Sequence, residues 1–266
     1  MKRTTYIMIG MLLAGLVVIS GMIFYSASHG TSWEDTYLEI GGEQKTVQLP
    51  ECRVVQFVWT EIENNKFLSF NQSKFPLKIQ PAAVGGLSYA NDLEKYMNLQ
   101  SVGDTLRVTF NFSNEKLEKE FQDKEWLNIR FAEMSLNLPA NVQQVLVGVK
   151  NMETTFSNFR CDTLSFQSSG TVRVENCQIT ALTAQARTLS FNSGAVRDLY
   201  LNLDDMGDWT VNTDSFHIDT EYLTGSRSHN CFLQKGECRQ VLWTPKNDKA
   251  SLEVKLEQAA KIELGE

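Results

Sequence analysis

The chain has 266 residues, of which 42% are hydrophobic and 21% are charged, and its formal net charge at pH 7 is −7. This length and composition are sufficient for a sizeable hydrophobic core and exclude a disordered polar chain. The acidic balance gives nucleic acid no general electrostatic attraction to the protein, so nucleic-acid binding is not expected.

The first predicted element is an apolar segment at residues 6–25, with the sequence YIMIGMLLAGLVVISGMIFY. It carries no charge, and Lys2 and Arg3 precede it. Its length is enough for a helix to cross a bilayer. The positive-inside rule then places the short N-terminal tail in the cytoplasm and the rest of the chain outside. We interpret the segment as a signal anchor, with cleavage after Ser28 and release of the exported part as the alternative.

The anchor divides the chain into four predicted parts. Residues 1–5 form a cytoplasmic tail, residues 6–25 the transmembrane anchor, residues 26–35 a tether, and residues 36–266 the exported domain with a C-terminal cap. A membrane is therefore the expected partner of residues 6–25.

Short strands are predicted throughout the first half of the exported domain. Alternating apolar residues indicate strands at residues 37–40, 47–49, 52–60, 66–70, 75–79, 104–112, 127–131 and 134–138. Two segments have another pattern. Residues 91–96 predict a short helical turn capped by Asn91. Residues 114–124 predict a short amphipathic helix through Leu117 and Phe121, which we interpret as a solvated surface insertion rather than a partner-binding helix.

A Thr-x-Ser-Phe tetrapeptide then recurs at residues 163–166, 188–191 and 213–216, with a spacing of 25 residues both times. A fixed period predicts stacked units, here coils of a β-solenoid with roughly three short strands each. The third copy departs from the pattern because Asp214 stands where the others have leucine, and a buried unpaired carboxylate is costly. Chance similarity within a strand-rich domain is the alternative.

The five cysteines are compatible with export but do not define one pairing. Cys231 and Cys238 flank FLQKGE, in which Lys235-Gly236 favours a hairpin turn that would bring the sulfurs together, so they are the candidate disulfide. Cys161 and Cys177 are not separated by the repeat period. Because five is odd, at least one cysteine, with Cys52 as the candidate, is free or bonded to another chain. The Cys-x-x-Cys spacing of zinc sites is absent from the sequence, and no metal is expected.

The order of four sequence stretches provides a family resemblance. They are GDTLRV at 103–108, SLNLP at 135–139, VLV at 145–147 and LSFQSSGTV at 164–172. This order resembles the head-GIN adhesins of bacterial envelopes, common in Bacteroidetes, over about residues 35–225. The resemblance implies a short right-handed β-helix exported behind a signal or an anchor. The chain departs from the family in the charged insertion at 113–125, in its fewer Ser-Gly turns and in Asp214, so the number of regular coils stays open.

An acidic stretch at residues 203–222 is the strongest candidate for chemistry. Its candidate binding residues are Asp204, Asp205, Asp208, Asp214, His217 and Asp219, and Glu221 belongs to the same stretch. Carboxylates from neighbouring coils can converge in a groove, where a pair could cleave glycosidic bonds or bind Ca²⁺. We favour a set of solvated turns and outward positions, because no calcium-loop spacing is present. The sequence also contains no G-x-S-x-G nucleophile motif and no phosphate-binding glycine loop.

The sequence therefore predicts an all-β protein, a single-stranded right-handed β-helix or solenoid-like domain behind an N-terminal transmembrane helix. Its expected function is a non-catalytic, adhesin-like or scaffolding module of the cell envelope, with an envelope protein or a glycan as partner and no cofactor. The alternative is a carbohydrate-active β-helix enzyme that uses Asp204 to Glu221. A structural envelope protein without a soluble ligand is the third interpretation.

Overall fold

The computed structural model describes residues 3–29, 37–60, 74–122 and 128–256. The chain divides into two compact units, Met1–Tyr37 and Leu38–Glu266. The strand predicted at residues 66–70 and the last part of the predicted C-terminal strand, around Ile262 and Leu264, lie outside the described residues.

The first unit contains helix α1, Arg3–His29. Within it, Thr5–Ser28 has a mean hydropathy of 2.6, and it is the one helix in the described part of the chain that is long and apolar enough to cross a membrane. A membrane anchor and an N-terminal signal sequence both have these properties.

The second unit is mostly β, as predicted, with a curled sheet. Its described strands are β1 Tyr37–Ile40, β2 Gln44–Gln48, β3 Val54–Trp59, β4 Phe75–Pro81, β5 Gly86–Ala90, β6 Met97–Val102, β7 Thr105–Phe110, β8 Asn128–Phe131, β9 Met134–Leu138, β10 Gln144–Val147, β11 Met152–Ser157, β12 Arg160–Glu175, β13 Cys177–Phe191, β14 Gly194–Asn202, β15 Asp208–Val211, β16 Phe216–Gly225, β17 Ser228–Leu233, β18 Cys238–Pro245 and β19 Ser251–Leu256. A 3₁₀-helix spans Asn91–Tyr96, and helix α2 spans Lys119–Gln122.

From β10 onward, each stretch of chain pairs in parallel with the stretch before it. Strand β12 pairs with β10 and β11 on one side and with β13 on the other. The series continues through β13–β14, β14–β16 and β16–β18. The register of β12 against β13 shifts between Ser168 and Thr171, where the long strand changes direction. Parallel pairing of successive strands is compatible with the solenoid prediction, but it establishes a curled sheet rather than a complete β-helix.

Apolar side chains in register form the core of this coiled sheet. Because successive strand residues point to opposite faces, one inward position in each strand meets the inward position of the next strand. One such column of buried residues consists of Val55, Val145, Phe166, Ala184, Leu201 and Leu223. The removal of these apolar columns from water is the main favourable contribution to the free energy that holds neighbouring coils together.

The 25-residue repeat is wrong as the length of a coil. Arg160 pairs with Gln178, Cys177 with Gly194 and Gly194 with Phe216, so successive coils advance by 18, 17 and 22 residues. The tetrapeptide copies therefore do not stack on one another. Turns of different length connect the strands, and register follows the inward apolar positions rather than equal spacing. Asp214 lies in an exposed turn before β16, so the third copy buries no carboxylate.

The first coils do not stack in chain order. Strand β3 lies between β7 and β10, and β4 lies between β9 and β11. Strands β7 and β9 therefore extend the sheet on the side opposite to the later strands. Antiparallel pairs β2–β5, β5–β9 and β6–β7 complete this end of the sheet.

Three local predictions are only partly confirmed. The helical turn at 91–96 is present, but its N-cap is Ala90, without a side-chain hydrogen bond, rather than Asn91. Of the helix predicted at 114–124, the described part up to residue 122 contains only α2, and Leu117 and Phe121 are buried. A turn does form at residues 234–237, but it closes no hairpin, because β17 pairs with β19 and β18 pairs with β16.

Candidate functional site

Asn158, Asn176 and Ser193 lie where the chain turns into strands of the candidate site, and we call this position the corner. Asn158 and Asn176 have φ angles of 65° and 51°, a left-handed conformation that asparagine tolerates better than most residues. The side-chain amide of Asn176 donates to the Asn158 side-chain oxygen at 2.6 Å, and the Asn176 backbone N–H donates to Ser193 Oγ at 2.9 Å. These bonds link three coils and fix the point at which each chain segment enters the next strand.

The segments after this corner form a shallow groove of about 490 Å³. We call it the coil groove and define it by two residues from each of β12, β13, β14 and β16. These residues are Arg160, Asp162, Gln178, Thr180, Ala195, Arg197, His217 and Asp219. The first member of each pair is in register with the next, in the order Arg160, Gln178, Ala195 and His217. Neighbouring strands lie about 4.8 Å apart, so the groove crosses four regularly spaced rungs.

Several charged groups of the coil groove have partners within the protein. Arg160 Nη1 donates to Gln178 Oε1 at 3.0 Å, which links two rungs. Arg197 Nε donates to Asp198 Oδ2 at 2.8 Å, and Arg239 Nε lies 3.3 Å from Asp219 Oδ1. The groove therefore combines hydrogen-bond donors and acceptors with little unbalanced charge.

A tyrosine pair follows the groove on the outward side of β14 and β16. The rings of Tyr200 and Tyr222 stack with centroids 4.6 Å apart and an interplanar angle of 12°, and Tyr200 is 40% exposed. Desolvation, followed by the charge of Asp198, raises the pKa of Tyr222, which also hydrogen-bonds that carboxylate. Asp198 thus contacts both Arg197 of the coil groove and one member of the tyrosine pair.

The structure does not bring the predicted acidic residues together. His217 and Asp219 lie in the coil groove. Asp205 accepts a hydrogen bond from the Asn202 side chain in the turn after β14, Asp208 begins β15, and Asp214 is exposed.

Asp204 belongs to a separate polar contact that ties several segments together. Its carboxylate accepts hydrogen bonds from the Ser226 backbone N–H at 2.8 Å and from Lys246 Nζ at 3.0 Å, and it lies 3.1 Å from His229 Nε2. The Ser226 N–H is the largest of several contacts that hold the pKa of Asp204 well below its usual range. These contacts give Asp204 a structural role in which its charge is already neutralised.

Glu221 points into the protein and is fully buried. Neither of its carboxylate oxygens has a hydrogen-bond partner. Burial, assisted by the charge of Glu237, raises the pKa of Glu221 to about 8. Glu237 is also buried, but Trp209 Nε1 and the Gln234 backbone N–H donate to its oxygens at 3.2 and 2.8 Å. Glu221 is therefore mostly protonated at neutral pH.

The candidate disulfide cysteines lie close to these two glutamates. Burial and then the charges of Glu221 and Glu237 raise the pKa of Cys231 to about 12 and raise that of Cys238 as well. The structure contains no disulfide among Cys231, Cys238, Cys52, Cys161 and Cys177. As thiols, Cys231 and Cys238 would be poor nucleophiles because of their high pKa values. No three His, Cys, Asp or Glu side chains in the described ranges are placed to hold a metal ion. The Cys231–Cys238 bond stays a prediction.

The candidate residues predicted from the sequence did not include Arg160, Gln178 and Arg197 of the groove or the Tyr200–Tyr222 pair. The available signal was the asparagine that comes two residues before Arg160 and again two residues before Gln178. This 18-residue interval matches the observed register.

Comparisons with known proteins found low-identity likenesses among solved structures. A structure named "putative adhesin" from Bacteroides fragilis has a TM-score of 0.46 at 10% identity, over 82% of this chain and 96% of its own. Another with this name, from Parabacteroides distasonis, has a TM-score of 0.39 at 7% identity, over 83% and 96%. No family model and no curated protein matches the chain. With TM-scores below 0.5, these likenesses establish neither a shared fold nor a shared function.

Proposed function

We propose that the chain is a membrane-anchored module of the bacterial envelope that binds through the outer surface of its coiled sheet and performs no catalysis. Residues 6–25 are the proposed anchor, residues 26–35 the tether and residues 36–266 the exported domain. The proposal keeps the adhesin-like role that the head-GIN resemblance implies.

The coil groove is the observation that carries this proposal. It is open and polar, and it is built from equivalent positions of four coils, so it presents an extended surface rather than an enclosed reaction chamber. Catalysis on a glycosidic bond needs two carboxyl groups at a defined separation across the bond. Asp204 is tied to Lys246 and Ser226, and Glu221 is buried inside the fold, so these two carboxyl groups do not form such a pair.

The coiled sheet is proposed to be a right-handed β-helix. Connections between parallel strands of one sheet are right-handed in about 98% of cases, because a twisted strand packs back onto its sheet most readily in that sense. The parallel pairs from β12 to β18 are connections of this type.

Binding to purified Bacteroidetes envelope fragments tests the function. The full chain in detergent is mixed with the fragments, and the retained protein and the released reducing sugar ends are both measured. We expect retention without release of reducing ends. The double variant Arg160→Ala/Gln178→Ala should reduce retention several-fold, because it removes two groove groups that hydrogen-bond each other.

The chain offers a matched control for this variant. Arg107 Nε donates to Gln56 Oε1 at 3.2 Å across β7 and β3, so it is a cross-strand arginine–glutamine pair outside the groove. Arg107→Ala/Gln56→Ala should leave retention unchanged. Equal losses in both double variants, or no retention of the unaltered chain, contradict the proposal. Release of reducing ends that Asp204→Asn/Asp219→Asn abolishes supports the enzyme alternative instead.

A further inference from the structure

Resting on the proposed binding function, we infer that the coil groove binds an extended, uncharged polysaccharide that lies along the axis of the coiled sheet, across successive rungs. This inference adds the chemical class and the direction of the ligand to the proposed function.

The direction follows from the register of the groove. Arg160, Gln178, Ala195 and His217 occupy the same position in four consecutive parallel strands. The rungs repeat at about 4.8 Å, which is close to the length of one pyranose unit in an extended glycan. A polymer of such units can therefore meet an equivalent protein position at each sugar. Ala195 has the smallest side chain of the column, which leaves space for a ring between the longer Gln178 and His217.

The chemical class follows from the polar groups. Sugar hydroxyls donate and accept hydrogen bonds, and the second position of the rungs offers both acceptors and donors in Asp162, Thr180, Arg197 and Asp219. Asp198 compensates the charge of Arg197 and Arg239 compensates that of Asp219, so these two groups do not select a charged polymer. The chain outside its first 30 residues carries more acidic than basic groups, which disfavours an anionic polysaccharide in particular.

The tyrosine pair supplies an apolar surface for the same ligand. Sugar rings pack their C–H faces against aromatic side chains, and tyrosine combines a rigid apolar ring with a polar hydroxyl. Tyr200 is exposed and stacked on Tyr222, and the Asp198 carboxylate links Tyr222 to Arg197 at the groove. Asp198 is in this view a positioning residue that holds the guanidinium and the phenol in one arrangement.

Calorimetric titration of the full chain in detergent with cellohexaose, mannohexaose and xylohexaose tests the inference. We expect at least one hexasaccharide to bind. The disaccharide of the same sugar should bind at least about tenfold more weakly, because it loses the hydrogen bonds on about half of the four rungs. The affinity should change less than about twofold between about 0.1 M and 1 M salt, where the Debye length falls from about 10 Å to 3 Å.

Variants connect the binding to the groove. His217→Ala and Arg160→Ala/Gln178→Ala should each weaken the hexasaccharide by about 3- to 30-fold, as expected for one or two lost hydrogen bonds. Arg107→Ala/Gln56→Ala should leave its affinity unchanged, and a thermal melt verifies that every variant is folded.

The results that would overturn the polysaccharide inference differ from the result that would overturn the proposed binding function. If envelope fragments are retained but none of the three hexasaccharides binds, the polysaccharide inference is wrong and the binding function stands. Binding that disappears at about 1 M salt, where screening is nearly complete, also overturns it, because the ligand would then be charged. If the chain retains no envelope fragments either, both proposals are wrong.

Discussion

Glu221 is a carboxyl group that folding removes from water without giving either oxygen a hydrogen-bond partner. Burial of an ionised carboxylate in such a place is so unfavourable that the group takes up a proton instead. The nearby Glu237 differs because a tryptophan N–H and a backbone N–H donate to it. The two buried glutamates thus differ in whether folding supplies hydrogen-bond donors to their carboxyl groups.

Protein stability should therefore fall as pH rises through the neutral range. Unfolding returns Glu221 to its ordinary pKa of 4.5, whereas its pKa in the folded protein is about 8. The stabilising effect of the protonated group is complete below about pH 4.5, decreases as the unfolded chain ionises, and is lost by about pH 8. Glu221→Gln keeps a neutral side chain at every pH. At pH 8 it should raise the free energy of unfolding by at least about 1.4 kcal/mol, the equivalent of one pKa unit.

Urea unfolding of the unaltered chain and of Glu221→Gln at about pH 5, 6.5 and 8 measures this effect. Glu253→Gln is the control, since this glutamate is exposed on β19 and its removal should not change the pH dependence. A pH dependence that persists unchanged in Glu221→Gln contradicts the assignment of this proton to Glu221.

At the scale of the elements, the corner before the coil groove depends on residues that can adopt positive φ angles. Asparagine occupies it in two coils. In the third, the positive φ of +127° belongs to Gly194, one position later in the register, because Gly194 pairs with Cys177, the residue after Asn176. A Cβ atom added to Gly194 would lie 2.0 Å from the backbone oxygen of Cys177. The neighbouring coil therefore approaches too closely for any side chain, in addition to the strain of the backbone conformation.

Gly194→Ala should accordingly destabilise the protein by about 2–4 kcal/mol, in the range of substitutions that combine strain with steric conflict. Gly41→Ala is the matched control, because an added Cβ at Gly41 has no atom within 4 Å. It should change the free energy of unfolding by less than about 0.5 kcal/mol. Chemical denaturation of both variants measures the difference, and equal stabilities would show that the corner relaxes without cost.

The strands could be predicted from the sequence, but the way in which they pair could not. Strict apolar alternation correctly predicted strands such as β4 and β9, because the face that a side chain occupies depends only on its neighbours in the chain. The pairing of coils depends on the length of each turn, which no local pattern encodes. A 25-residue period would place Arg160 opposite Gln185, whereas its partner is Gln178. Most of the coil groove therefore could not be predicted, although His217 and Asp219 were among the candidates.

At the scale of the whole molecule, the functional proposal requires that α1 remain attached to the exported domain. Its apolar span is long enough to stay in the bilayer as a stable anchor. We expect the full 30.2 kDa chain in carbonate-washed membranes of expressing cells, measured by intact mass. Val17→Arg places a charge near the centre of the span at a cost of about 2.5–3.5 kcal/mol and should reduce the membrane-bound fraction. Thr5→Arg, at the end of the span beside the existing basic residues, should not.

A soluble exported fragment that begins after Ser28 would contradict the anchor and identify the segment as a cleaved signal peptide.

The two outcomes, an anchored chain and a released fragment, have different consequences for binding. A shallow groove that forms a few hydrogen bonds gives a weak single contact, because each bond contributes only about 0.5–1.5 kcal/mol net. Copies anchored in one membrane can engage a long polymer together, and this multivalency raises the overall affinity without any new contact. Under the proposed function, an anchor would thereby allow an open, solvent-exposed groove to act as an adhesive surface.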